Sequence, residues 1–373
     1  MSDLENTNTP LQMNILKLFE GFKLEVDLAV PEGITAIFGP SGSGKTTLLD
    51  LIAGVQTPDR GIIQMNGEEI FNASEKKNLA PNKRGIGYVF QDDALFPHMT
   101  VQQNLAFSGQ TQKNTPTWQH IIELMGLGDL MDRYPGTLSG GEKKRVAIAR
   151  VLLSGPGIFM LDEPLANIDA ARREAFFPYL EMVRKELSVP IIYVSHQVDE
   201  VIRLADNLVL LDHGKITAAG PVADIYDTPL FQASLGAAGN STLFSAKVSG
   251  YVNGVAALEF GGGTLYSADD RYEAGDEVRV RIMARDVAIS TLRPDKISIL
   301  NVLPCKLKGI DKTFHGHAGL TMEIEGGEIE GDGEEKLLIK AEITPKSVRE
   351  LKLEPDMRVY ALVKALALIS PAV

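Results

Sequence analysis

Gly39-Pro40-Ser41-Gly42-Ser43-Gly44-Lys45-Thr46 follows the apolar run Ile34-Thr35-Ala36-Ile37-Phe38 and precedes Thr47-Leu48-Leu49-Asp50-Leu51-Ile52-Ala53. The spacing G-x-x-x-x-G-K-[ST], set between a buried strand and a helix, describes a loop that wraps phosphates. Its glycines let the backbone curl so that N–H groups point inward, and the helix N-terminus behind it adds partial positive charge. Lys45 is expected on the terminal phosphates of a nucleotide and the Thr46 hydroxyl on Mg²⁺. Residues Gly39 through Thr47 are the expected nucleotide contacts. Such loops serve kinases, GTPases and many ATPases, so the rest of the chain must choose.

The 373 residues suggest two domains with ample cores. A composition of 44% hydrophobic and 23% charged residues is that of an ordinary globular chain. The net charge of -12 argues against broad nucleic-acid binding. One cysteine, Cys305, permits no disulfide within the chain and suits a reducing cytoplasm; a small buried side chain is expected there. No uninterrupted apolar run could span a bilayer, and the start Met1-Ser2-Asp3-Leu4-Glu5-Asn6 has no signal-peptide pattern. Work at a membrane would then go through a partner.

Outward from the phosphate loop, residues 12 to about 30 alternate apolar and polar side chains and predict paired strands. Further strands are expected at Gly61–Gly67, Ile86–Phe90, Ile158–Leu161 and Ile191–Val194, with 100–155 mostly helical. Alternation of strands and helices implies a mainly parallel sheet covered on both faces, an α/β domain. Gly236 to Ser241 read as a linker. Beyond it, short alternating strands with Gly and Asp turns predict a small all-β barrel. The expected boundaries are 1–235 for the α/β domain (a helical subdomain at about 92–155), 236–241 for the linker and 242–373 for the barrel. Within the barrel, Gly275-Asp276 and Pro355-Asp356 each lead, at the same spacing, to a strand ending Ile-Ser. Two related halves and chance similarity of β-patterns both fit.

Three further segments carry chemistry. The strand Ile158–Leu161 ends in Asp162-Glu163. An aspartate at a strand end beside a phosphate loop can hold Mg²⁺, and Glu163 is placed to accept a proton from an attacking water. Leu138-Ser139-Gly140-Gly141-Glu142 opens a helical stretch and builds a second anion-binding site. One chain needs no second γ-phosphate site for one nucleotide. This loop would therefore close on the nucleotide of another copy, in a two-fold head-to-tail dimer. An N-capped helix after a glycine turn is the plainer alternative.

With these residues in order, the chain resembles the nucleotide-binding subunit of an ABC transporter. Leu138 to Glu142 matches that family's signature loop. The resemblance makes Gln91 the Q-loop glutamine at Mg²⁺ and water, Asp169 in Ala166-Asn167-Ile168-Asp169 the D-loop aspartate, and His196 the switch histidine at the γ-phosphate. It implies a P-loop NTPase fold, ATP and Mg²⁺, catalytic Glu163, His196 and Gln91, and metal ligands Thr46, Gln91 and Asp162. It also implies an aromatic on adenine, for which Phe19 and Phe22 are the candidates. Asp93 to Thr100 would receive a helix of the membrane subunit, or serve as ordinary packing. His315 and His317 are expected as loop residues rather than a metal pair.

The second half is similar to the molybdate-binding, or Mop, barrel (TOBE, OB-like) through Ile297–Pro304, Ile343–Val348 and Tyr360–Ala365. That resemblance implies the ATPase of a molybdate importer, peripheral on the cytoplasmic face of the membrane. Its partners would be a second copy, membrane permease subunits and, indirectly, an extracytoplasmic binding protein. Molybdate itself would bind between paired barrels at Ser298, Thr344, Ser347 and Lys364. Leu300 stands where related modules often carry arginine, which leaves a purely structural barrel open. An importer for tungstate or sulfate is the near alternative. A soluble ABC ATPase of DNA repair or translation is disfavoured by the acidic charge, the barrel and the lack of a coiled-coil insertion or tandem ATPase halves.

Overall fold

The computed structural model describes residues 9–108, 117–166, 168–186, 189–226, 228–235, 240–261, 263–312, 316–328, 336–365 and 368–369. Asn167 and His315 lie outside these residues. The chain divides into two compact units, Met1–Val222 and Ala223–Val373. The division falls ahead of the 236–241 stretch that composition suggests as a linker.

The first unit opens with β1 (Leu11–Phe19), β2 (Phe22–Val30), β3 (Ile34–Phe38), α1 (Lys45–Ala53), β4 (Arg60–Met65), β5 (Glu68–Asn72), β6 (Lys77–Asn78) and β7 (Ile86–Val89). It continues with α2 (Val101–Ala106), α3 (Trp118–Leu124), α4 (Gly140–Leu152), β8 (Ile158–Asp162), α5 (Ala170–Glu186), β9 (Ile191–Ser195), α6 (Val198–Leu204), β10 (Asn207–Asp212) and β11 (Lys215–Pro221). The alternation around residues 12–30 becomes the β1–β2 hairpin, whose register closes at Phe19 opposite Phe22. One sheet runs β6-β5-β4-β1-β2-β11-β10-β3-β9-β8-β7. Its half from β10 through β3, β9 and β8 to β7 is parallel. Strands β3, β8 and β9 are buried at every position, as strands covered on both faces must be.

Register then places the chemistry. Phe38 pairs with Ser195, Asp162 with Val194, and Val89 with Leu161. The phosphate loop, Asp162-Glu163, His196 and Gln91 therefore leave the sheet along one edge, at the carboxyl ends of neighbouring parallel strands, where α/β sheets bind ligands.

The second unit begins in the short helices α7 (Val222–Tyr226) and α8 (Pro229–Ser234). Its strands are β12 (Ser241–Val252), β13 (Val255–Phe260), β14 (Gly263–Ser267), β15 (Glu277–Met283), β16 (Val287–Ser290), β17 (Asn301–Lys312), β18 (Ala318–Glu328) and β19 (Lys336–Ile343), then α9 (Pro345–Glu350), β20 (Arg358–Val363) and β21 (Leu368–Ile369). They form two five-stranded sheets, β14-β13-β12-β15-β21 and β16-β20-β17-β18-β19, around one apolar core that includes the buried Cys305. The two similar stretches of sequence exchange strands. β16, which follows β15, pairs with β20; β21, which follows β20, pairs with β15. Each stretch thus completes the other's sheet.

Candidate functional site

The phosphate loop is built by close approach. A Cβ on Gly39 would lie 2.0 Å from the Leu211 carbonyl oxygen, so only glycine fits there. Gly44 has φ 103, and a Cβ on it would sit 3.0 Å from the Phe22 ring. The Gly214 amide donates to the Ser43 carbonyl at 3.0 Å, so the β10–β11 turn props the loop from behind. The Lys45 ammonium, only 6% exposed, donates to the carbonyls of Gly39 (2.9 Å) and Pro40 (3.0 Å). Burial pulls its pKa down, while Glu163 and Asp162 oppose that shift. The ammonium thus lies folded against its own loop, ready to exchange carbonyls for an anion.

Asp162 ends β8 at 2% exposure. Its Oδ2 accepts from the Tyr88 hydroxyl at 3.3 Å, the Thr46 hydroxyl lies near the carboxyl, and its buried Oδ1 has no hydrogen-bond partner among the described residues. Tyr88 reaches Asp50 as well, at 3.3 Å, so one phenol lies between two carboxylates. Burial, with Glu163 and Asp50 nearby, pushes the Asp162 carboxyl above its usual range against the opposing hydroxyls of Thr46 and Tyr88. The same surroundings push Tyr88 far up. An unmatched buried oxygen beside a hydroxyl and two more carboxylates is the environment a hard divalent cation relieves.

Glu163 turns out of the strand with φ 44, a left-handed conformation uncommon outside glycine and frequent at functional sites. Its amide stays on β9 through the Val194 carbonyl (3.0 Å), and its Oε1 lies 3.3 Å from His196 Nδ1. The residues predicted from two separate segments therefore touch.

Gln91 leaves β7 exposed, and its carbonyl accepts from the Lys144 ammonium of α4 at 2.5 Å. Lys144 also pairs with Asp93 at 2.8 Å. Asp93 (φ 59) and Ala94 (φ 46) are both left-handed, and the Ala94 carbonyl accepts from Arg150 of the same helix at 2.9 Å. Helix α4 thus holds the loop after β7 from both ends. At its N-terminus, Ser139 and Glu142 form a capping box: Glu142 Oε2 accepts from the Ser139 amide (2.6 Å), and Ser139 Oγ accepts from the Glu142 amide (3.4 Å). These bonds to Ser139, ahead of Arg133, lower the Glu142 pKa. Buried Leu138 anchors the loop, while Ser139 and Gly140 face outward with nothing against the glycines.

Asp169 caps α5, accepting from the Arg172 amide at 3.0 Å, and is exposed. Of the two aromatics, Phe22 is wedged against Gly44 and Phe19 is 40% exposed with Lys17 over its ring. In the second unit, Thr344 caps α9 and its hydroxyl meets that of Ser347 at 2.9 Å. Ser298 and Lys364 are exposed; among the described residues no hydrogen bond or ion pair joins them to that pair. His317 pairs with Glu342 at 2.8 Å. Sequence reasoning missed Tyr88, Lys144, Arg150 and the buried Glu200, each a single residue whose partner lies on another element.

The ABC transporter family pattern matches residues 24–166, and the TOBE domain pattern matches 297–369. The Molybdenum import ATP-binding protein ModC of Brucella melitensis biotype 1 is 42% identical over 357 residues, covering 94% of this chain and 95% of its own length. Molybdenum import ATP-binding protein ModC 1 of Azotobacter vinelandii is 38% identical over 360 residues, 94% and 96% of the two chains. Among solved structures, cbiO1 from Clostridium perfringens, part of the ABC transporter complex cbiONQ, is similar with a TM-score of 0.51 and 26% identity, over 61% of this chain and 94% of that one. A nucleotide-free ATP-binding cassette from an ABC transporter gives 0.51 and 25%, over 60% and 97%.

Proposed function

We propose a working cycle for a chain that belongs to the ABC transporter family, among its molybdenum import ATP-binding proteins. It is the ATPase subunit that powers molybdate import. Among the described residues no helix is long and apolar enough to cross a membrane. In this reading permease subunits carry the solute and this chain sits against their cytoplasmic side.

In this reading the backbone N–H groups of Gly39 and of Ser41 to Thr47, with the Lys45 ammonium, hold the phosphates of ATP, and the exposed Phe19 ring stacks on the adenine. Thr46, Asp162 and Gln91 would hold Mg²⁺, whose chemistry is to neutralise charge on the transferring phosphoryl group. The partnerless Asp162 Oδ1 supports that assignment. Glu163 takes or polarises the proton of the attacking water, and His196 orients its carboxylate and meets the γ-phosphate. Ser139, Gly140, Gly141 and Glu142 of one copy, with Asp169, close on the nucleotide of the other; the outward-facing Ser139 and Gly140 support this. Closure of the two copies would then drive the permease, and hydrolysis would reopen them.

The observation that carries the reading is the 3.3 Å contact between Glu163 and His196, beside Lys45 and Asp162 at one edge of the sheet. Hydrolysis by Glu163→Gln protein, set against its ATP affinity, tests it. In the second unit, Thr344 and Ser347 offer paired hydroxyls and Lys364 a charge, which suit a tetrahedral dianion. We read them, with Ser298, as a molybdate site completed by a second copy.

A further inference from the structure

Glu200 lies behind the loop that carries His196, is 2% exposed, and takes no part in the cycle above. Its Oε2 accepts from the hydroxyls of Tyr193 (2.9 Å) and Ser195 (2.6 Å). Ser195 Oγ in turn accepts from the Gln197 amide at 2.9 Å. Of the two sequence neighbours of His196, the carboxylate therefore holds Ser195 directly and Gln197 through the Ser195 hydroxyl. On its other side, Glu200 Oε1 faces Arg173 Nε at 3.7 Å. Arg173 stands in the first turn of α5; its Nη2 donates to the Ile168 carbonyl at 3.2 Å, and its amide donates to the Asp169 carbonyl at 2.9 Å. The same carboxylate thus reaches the backbone that presents Asp169.

The two helices behind this link are fastened to each other. Arg203 of α6, 8% exposed, donates to Glu181 (2.7 Å) and Glu174 (2.9 Å) of α5 and lies 4.1 Å over the Phe177 ring. The two helices are thus joined by these contacts as well as through Glu200 and Arg173. Burial raises the Glu200 carboxyl pKa, with the two hydroxyl bonds and Arg173 opposing. A carboxylate kept in so dry a place costs stability unless its partners are held in place.

We propose that Glu200, through Arg173, is a positioning residue that locks the loop carrying His196 to the loop carrying Asp169. Contact made by Asp169 with a second copy then sets the imidazole against Glu163. The inference rests on the reading of Glu163 and His196 as the hydrolytic pair.

Glu200→Gln keeps an acceptor for Tyr193 and Ser195 but loses the charge facing Arg173. Arg173→Gln removes the other half of the link at a more exposed position, and serves if the first variant does not fold. We expect either change to lower kcat about tenfold with the KM for ATP within about twofold. We expect both to move the His196 ring resonances in NMR spectra. The double variant should be no slower than the slower single one, because both break the same link. A folded variant with wild-type kcat, a loss carried by KM, or a double variant whose losses multiply would overturn the proposal. Glu163→Gln measured alongside separates the two readings. If Glu163→Gln is inactive and Glu200→Gln turns over normally, the positioning role alone fails; if both turn over normally, the hydrolytic pair fails too.

Discussion

His196 Nδ1 lies 3.3 Å from Glu163 Oε1, although the two residues are set by different strands, β9 and β8. The strands are parallel neighbours in register, and the left-handed turn at Glu163 directs its carboxylate toward the histidine. The imidazole is the more exposed partner, 47% against 21% for the carboxylate. The pair thus has an open side, from which water and a phosphate can approach.

The shared-site arrangement is tested by mixing defects. A Lys45→Ala copy paired with a Ser139→Arg copy puts both defects at one nucleotide and leaves the other site whole, if each site draws its phosphate loop and signature loop from different copies. Verified heterodimers should hydrolyse ATP well above either homodimer. Heterodimers as inactive as both parents would contradict sharing.

Asp162 gives a stability prediction with a definite sign. Burial first, then its acidic neighbours, hold its carboxyl above the ordinary range, so the folded chain binds this proton more tightly than the unfolded one. The cost is absent below the unfolded value of about 3.9, grows as pH rises above it, and is complete once pH has passed the folded value. Asp162→Asn should therefore raise Tm without nucleotide by about 2–4 °C, and Mg²⁺ with ATP should raise the wild-type Tm more than the variant's. Calorimetric scans showing a lower Tm for the variant would contradict this account of the carboxylate.

Lys144 ties the Gln91 carbonyl and Asp93 to α4, with side chains 7% and 18% exposed. Lys144→Ala leaves both acceptors without their ammonium. Urea unfolding should report a loss of about 2–3 kcal/mol. In steady-state assays kcat should fall more than the affinity for ATP. Unchanged stability together with unchanged kcat would remove the tie from the account.

How much of this was legible in the sequence follows from how local each feature is. The phosphate loop, Asp162-Glu163 and Ser139 to Glu142 are contiguous because a tight turn or a helix start is built from neighbours, so the residue types alone carry the chemistry. His196 is a single residue, readable only because it follows the strand Ile191–Val194 in a familiar order. Lys144 looks like one more charge on a basic helix until the fold brings it to a carbonyl 53 residues away. Tyr88 reads as strand core, yet its hydroxyl lies between Asp50 and Asp162, 38 and 74 residues distant. The division at Val222 has the same origin. Tyr226 follows the first unit closely in sequence, but its hydroxyl is tied to Arg281, 55 residues on. The repeat of Gly275-Asp276 in Pro355-Asp356 was visible; the exchange of β16 and β21 between sheets was not, because strand partners are not encoded in spacing.

The second unit is tested by calorimetry on the full chain with its nucleotide sites saturated. Molybdate should give saturable heat, sulfate weaker heat, and Lys364→Ala or Thr344→Ala should reduce the molybdate signal. No saturable heat at roughly millimolar molybdate would leave Thr344 and Ser347 as a helix cap alone.

The most direct measurement is single-turnover hydrolysis of ATP by Glu163→Gln protein. The side chain keeps its size and an acceptor toward His196 but can no longer take a proton. The rate should fall about 100- to 10,000-fold while ATP affinity stays near that of the unaltered chain, and a nucleotide-bound dimer should accumulate. Near-normal single-turnover hydrolysis by this variant would contradict the account of Glu163 and His196 at its centre.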